Sequence, residues 1–240
     1  MPKTTPKTTP KTTPKTTPKN SHTPNDAYPK TDRTRVRRSH NRARYDREAV
    51  HAVLDAGFVC HVAYVIDGHP FVTPTAYWRE GERVYWHGSA ASRMIKKIRE
   101  GVPVCFNASL FDGLVLARSG FHSSVNYRSV TIYGQAQQVE GREAKEKALE
   151  GLFQRMMPGR WETLRAPTTQ EMKATSVLWL PLEEAVAKIR EGGPIEDEAD
   201  LELPIWSGVL PVRQVVEKPW TDPLSKGLAV PDHVEGFKIG

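Results

Sequence analysis

Residues 70–98, PFVTPTAYWREGERVYWHGSAASRMIKKI, decide the fold. FVTPTAYWR is rich in aromatic and β-branched residues, which suit a pleated, half-buried strand. EGE supplies a turn, and RVYWHG reads as the next strand. The period then changes. In SAASRMIKKIREG, Met94, Ile95 and Ile98 recur at helical spacing and Gly101 ends the run.

The same alternation extends in both directions. Upstream, FVCHVAYVI (58–66) is an apolar strand joined to the first by the turn chemistry of DGHP, so the two make a hairpin. Before it, DREAVHAVLDAG (46–57) reads as a short helix, with Asp46 as N-cap, Val50, Val53 and Leu54 on one face and Gly57 as stop. Downstream, VPVCFNASLFDGLVLARSG (102–120) reads as strand, turn and strand, and SVNYRSVTIYGQAQQVE (124–140) as one longer strand. GREAKEKALEGLFQRMMPG (141–159) is an amphipathic helix with Ala148, Leu149, Leu152 and Met156 on its apolar side. ATSVLWLPL (174–182) reads as a last barrel strand and EEAVAKIREGG (183–193) as a last helix, while WSGVLPVRQVVEKPW (206–220) is too irregular to assign. Antiparallel strands with interposed helices predict a mainly β fold, a closed or partly closed β-barrel with peripheral helices. No GxGxxG and no P-loop occurs, which argues against a Rossmann dinucleotide site or a nucleoside triphosphatase.

The chain opens differently. KTTP occurs four times between Lys3 and Pro18, and proline at every fourth position predicts an extended, solvated segment. Residues 1–44 hold 12 Lys and Arg against Asp26 and Asp32, so the remaining residues carry a net charge of −4. The basic pI of about 9.3 therefore belongs to the first 44 residues and gives no support for a nucleic-acid groove on the folded part. The expected organisation is a disordered tail over residues 1–44, able to touch polyanions weakly, and one domain over 45–240. No run is long and apolar enough to span a bilayer, no secretory signal is evident, and Cys60 and Cys105 lack metal-ligand spacing. A cytoplasmic protein with reduced thiols and no membrane partner is expected.

Two clusters carry the candidate chemistry. His87 ends a strand that runs into Ser89, Ser92, Arg93 and Lys96, a set of hydroxyls and cations suited to a phosphate monoester. An N-capping serine beside a solvated basic helix face gives the same spacing. The second cluster is FHSSVNYRSV, where Asn126, Arg128 and Ser129 interrupt an element otherwise built for burial; they must bond to the protein or to a ligand. His61, His69 and His87 have no carboxylates at matching intervals, so no metal site is expected.

The segments HPFVTPTAYW, VYWHGSAASRMIKKI and SVNYRSVTIYGQA, in this order, resemble the pyridoxamine 5′-phosphate oxidase-like superfamily of flavin mononucleotide (FMN)-binding split barrels, in particular its flavin-nucleotide-binding and nitroimidazole-resistance-type branch. The resemblance covers about Asp46 to Leu182. It implies an antiparallel Greek-key split barrel that dimerises around FMN. Thr73, Pro74 and Thr75 would follow the isoalloxazine edge, Ser89, Ser92, Arg93 and Lys96 would hold the phosphate, and Asn126, Arg128 and Ser129 would approach from the other subunit. The C-terminal arginine and histidine pattern of the true oxidases is not evident, so the resemblance does not extend to vitamin B6 oxidation as the expected activity. The expected function is FMN-dependent hydride or electron transfer to a small planar acceptor such as a nitro compound or quinone. The alternatives are a flavin-binding protein without turnover, use of a deazaflavin, and haem handling with His61, His87 or His122 as axial ligand.

Overall fold

In the computed structural model, which describes residues 26–239, Asp67 and Gly68 both take positive φ (51° and 78°), as a two-residue hairpin turn requires. They join β2 (Val59–Ile66) to β3 (His69–Glu80). β3 pairs with β2 through residue 76 and then with β4 (Arg83–Ser89) from residue 77 onward. Pro70 and Pro74 fall in the part of β3 bonded to a strand on one side alone, where a residue without an N–H is tolerated.

The full strand order is β1 (Ala43–Arg44), β9 (Ala185–Arg190), β6 (Ser124–Gly134), β5 (Val104–Leu116), β2, β3, β4, β8 (Thr175–Pro181), β7 (Gln137–Gln138), with β10 (Gly208–Pro211) beside the far end of β5. Every pairing is antiparallel. This sheet curls into a split barrel with helices at its periphery. Its main core joins Val50, Val53 and Leu54 of α1 (Arg47–Ala56) and Met94, Ile95 and Ile98 of α2 (Arg93–Arg99) to Trp86, Phe106, Ile132 and Leu178 of the strands. Each such aliphatic side chain contributes about 1.5–3 kcal/mol by leaving water. Asp46 caps α1 by accepting the Ala49 N–H at 2.8 Å. A second cluster seats α3 (Arg142–Met156) on the outside of β3, β4 and β8 through Ala148 and Leu152 against Trp78, Tyr85 and Val177. Gly151 permits that approach, since a Cβ there would lie 3.1 Å from Trp78 Nε1. Two short helices complete the chain: α4 (Thr169–Ala174), closed by a Thr168/Glu171 capping box, and α5 (Asp232–Glu235). Among the described residues no helix is long and apolar enough to cross a membrane.

Several expectations are corrected. Residues 26–44, read as part of the tail, pack on the barrel: Tyr28 and Thr34 are buried, and β1 pairs with β9. Tyr28 donates from its hydroxyl to Glu82 at 2.8 Å, lies 2.9 Å from His51 Nε2, and carries Arg47 over its ring at 4.6 Å. A single aromatic residue amid charges is weak as a pattern but sufficient as an anchor. The KTTP repeat lies outside the described residues.

Residues 104–116 form one strand, not strand–turn–strand; the Asp112–Gly113 pair makes a bulge rather than a turn. A Cβ on Gly113 would sit 2.7 Å from the Leu210 carbonyl oxygen, so glycine here admits β10. AVAKIR at 185–190 is a strand, not a helix, because bonding to β1 on one side and β6 on the other overrides the helix propensity of Ala, Lys and Arg. The long strand breaks after Gly134, and Gln137–Gln138 pair with β8 instead. Met156, assigned to the apolar face of α3, is exposed.

Candidate functional site

The β3–β4 hairpin delivers its residues to one side of a cleft of about 340 Å³, and the start of α2 closes the other. Thr73, Pro74 and Thr75 line it from β3, His87 and Ser89 from β4, and Ser92 and Arg93 from the entry to α2. Seven of the sequence-predicted residues thus meet in one place. Tyr64, Gly88 and Met94 complete the walls. Sequence reasoning passed over Tyr64 because its strand reads as continuous apolar core. The structure places its hydroxyl 3.3 Å from Thr73 Oγ1. Lys96 is exposed one turn further along α2 and does not line the cleft.

The polar groups divide into committed and free. Ser92 Oγ accepts the Ile95 N–H at 3.2 Å and Ser89 Oγ accepts the Ala91 N–H at 3.3 Å, so each hydroxyl stabilises the turn and keeps its own proton to donate. Arg93 makes no ion pair among the described residues; its guanidinium lies over the Phe71 ring, 4.1 Å from the centroid. Phe71 in turn stacks on Tyr64, with 5.7 Å between ring centroids. His87 is half-buried, and burial lowers its pKa below the ordinary imidazole value, so the ring is neutral at pH 7. Its Nδ1 is buried without a hydrogen-bond partner. A cation unpaired among the described residues, two hydroxyl donors and a neutral imidazole line one cleft, a set suited to a polar, anionic group.

The second predicted cluster does not join the first within one chain. β2 and β5 separate β6 from β3 in the sheet. Asn126 donates to Gly192 O at 3.1 Å and accepts from Arg190. Arg128 binds Asp112 through two hydrogen bonds of 3.0 and 2.8 Å, and Ser129 donates to Lys188 O at 3.2 Å. The Arg128–Asp112 pair lines a separate cleft of about 870 Å³ with Asp55, Phe111, Val212 and Arg213.

The family model described as pyridoxamine 5′-phosphate oxidase matches residues 46–189. The chain belongs to the pyridoxamine 5′-phosphate oxidase family. Among solved structures of similar shape, the flavocytochrome Anf3 from Azotobacter vinelandii is 43% identical over 88% of this chain and 98% of its own, with a TM-score of 0.84. The FAD and haem binding protein from Mycobacterium smegmatis is 34% identical over 82% of this chain and 97% of its own, with a TM-score of 0.79. A Bacteroides thetaiotaomicron protein described in terms of 5-nitroimidazole antibiotic resistance shares the fold at 18% identity and a TM-score of 0.53, over 61% of this chain and 86% of its own. No curated protein matches the chain. The family match spans the elements from α1 to β9, which include the β3–β4–α2 cleft, and the N-terminal strap lies outside it.

Proposed function

We propose that the protein binds a flavin nucleotide in the β3–β4–α2 cleft and transfers hydride or electrons to a small planar acceptor. The observation that carries this reading is Arg93: a cation without a carboxylate among the described residues, beside the hydroxyls of Ser89 and Ser92, at a cleft walled by Thr73–Thr75. These residues fit a nucleotide phosphate, and Thr73–Thr75 form the wall along which a flat ring would lie. The flavin supplies the redox chemistry when bound; the chain binds it, orients it and shields one face. Neutral His87 places an imidazole nitrogen in the same cleft, where it donates or accepts one hydrogen bond without adding charge. The reading includes a homodimer in which Asn126, Arg128 and Ser129 approach the flavin of the other chain, and a cytoplasmic location in keeping with the free thiols Cys60 and Cys105. FMN and FAD are distinguished by releasing and identifying the bound nucleotide. Turnover is tested by reducing the purified holoprotein with a nicotinamide donor and adding a nitro compound or quinone. Reoxidation at a rate above that of free flavin supports an oxidoreductase, and a flavin that never cycles leaves a carrier or sensor.

A second reading adds haem to the flavin, in line with the two similar proteins above 30% identity. Of the three histidines considered, His61 is exposed and His87 belongs to the flavin cleft. His122 sits 3.1 Å through Nε2 from Asp197, the carboxylate–imidazole pairing that orients a metal-ligating histidine, and leaves Nδ1 to face an iron. A Soret band in the purified protein, lost in His122→Ala, is the expected sign of this reading.

A further inference from the structure

Arg190, the last residue of β9, is 7% exposed, and among the described residues no carboxylate pairs with it. Its partners are three neutral oxygens. Nη1 donates to Asn126 Oδ1 and, at 3.5 Å, to Gly192 O; Nη2 donates to Gly193 O at 3.4 Å. A guanidinium carries five N–H donors. Two therefore remain: one hydrogen of Nη2, and Nε–H, which is buried without a partner. Nε and Nη2 share one edge of the planar group, the edge that grips a carboxylate or phosphate with parallel hydrogen bonds. Holding the Gly192–Gly193 turn accounts for the two long contacts and leaves this edge unexplained, although burying a charged donor without an acceptor is costly.

A second cation stands nearby. Arg42 lies in the turn His40–Arg42, which packs on β9; its like charge is felt at Arg190, and among the described residues it has no carboxylate partner either. The fold thus brings part of the basic run at residues 33–44 to the one buried arginine among the described residues. We propose that Arg190 and Arg42 form an anion subsite, apart from the β3–β4–α2 cleft, which takes the carboxylate or phosphate of a small molecule on the Nε/Nη2 edge of Arg190. The Gly192–Gly193 turn that lies over Arg190 is exposed.

The test is thermal unfolding of the full-length protein against increasing inorganic phosphate, or acetate, with chloride keeping the ionic strength constant. The titrations are run in Arg93→Ala, which removes the phosphate contact of the other cleft, and a saturable stabilisation is expected to persist there. On that background Arg42→Gln shifts the half-saturating anion concentration upward by fivefold or more, and Arg190→Gln abolishes the effect. The tighter of phosphate and acetate identifies the chemistry of the natural ligand. Absence of stabilisation by both anions in Arg93→Ala overturns the proposal, as does an unchanged titration in Arg190→Gln. Should Arg190→Gln fail to fold, an unchanged half-saturation in Arg42→Gln overturns it instead.

Discussion

The Arg93 guanidinium lies over Phe71, 4.1 Å from the ring centroid, so among the described residues it is held by an aromatic face rather than by an acidic partner. A cation held by a ring keeps its hydrogen-bond donors for a ligand. Arg93→Ala is expected to weaken FMN or FAD binding by about 1.5–3 kcal/mol, the worth of hydrogen bonds to a charged group. Riboflavin, which has no phosphate, should bind wild type and variant alike. Fluorescence titration with the three flavins reads both numbers, and equal loss for riboflavin would place the defect in folding rather than in phosphate binding.

Phe71→Leu is expected to act through Arg93. The side chain keeps its volume class but loses the π face, which is worth about 0.5–1 kcal/mol at a partly exposed site. FMN affinity should fall by a few-fold, and the same substitution placed on Arg93→Ala should then cost nothing more. A double-mutant cycle measures the coupling.

Acid should destabilise the fold through buried imidazoles. Burial depresses the pKa of both His87 and His51 below 6.5 in the folded chain. The unfolded chain then binds more protons than the native one as pH falls through the ordinary imidazole value, so stability is full above that value and declines below it. His87→Gln should flatten the decline between neutral pH and the point where carboxylates begin to titrate. Denaturant melts at a series of pH values show the slope, and an unaltered slope would remove His87 from the account.

Tyr28→Ala should cost about 3–5 kcal/mol, as for other buried aromatics, because it removes the anchor of the N-terminal strap along with the Glu82 hydrogen bond. Tyr28→Phe keeps the packing and should cost about 1–3 kcal/mol for the groups left unpaired. Deletion of residues 1–44 would remove Tyr28, Thr34 and β1 together and is therefore destabilising. Urea denaturation separates these variants.

Much of this molecule was readable from its sequence where a local signal and the tertiary context agree. Asp46 and Ser92 are caps in sequence and in structure, Asp67–Gly68 is a turn in both, and the alternating run from Phe71 to Ser89 forms the hairpin that builds the cleft. Misreadings arose where tertiary pairing outweighs local preference. Ala185–Arg190 has helix-forming residues yet fills a slot between two strands, and Asp112–Gly113 has turn chemistry but bulges to admit Leu210. Arg190 and Asn126 lie 64 positions apart, and no periodicity announces that they meet. The clustering of Thr73, Pro74, Thr75, His87, Ser89, Ser92 and Arg93 was legible because adjacent elements deliver all of them; the place of the β6 residues depends on contacts distant in sequence.

The central claim is tested most directly by the absorption spectrum of the purified full-length protein, recorded before and after loading with FMN or FAD and desalting, beside Arg93→Ala treated in the same way. Flavin bands retained by the wild type and lost from the variant are the predicted result. A wild type that retains no flavin after loading, or an Arg93→Ala protein that retains it equally, would contradict the assignment of the β3–β4–α2 cleft.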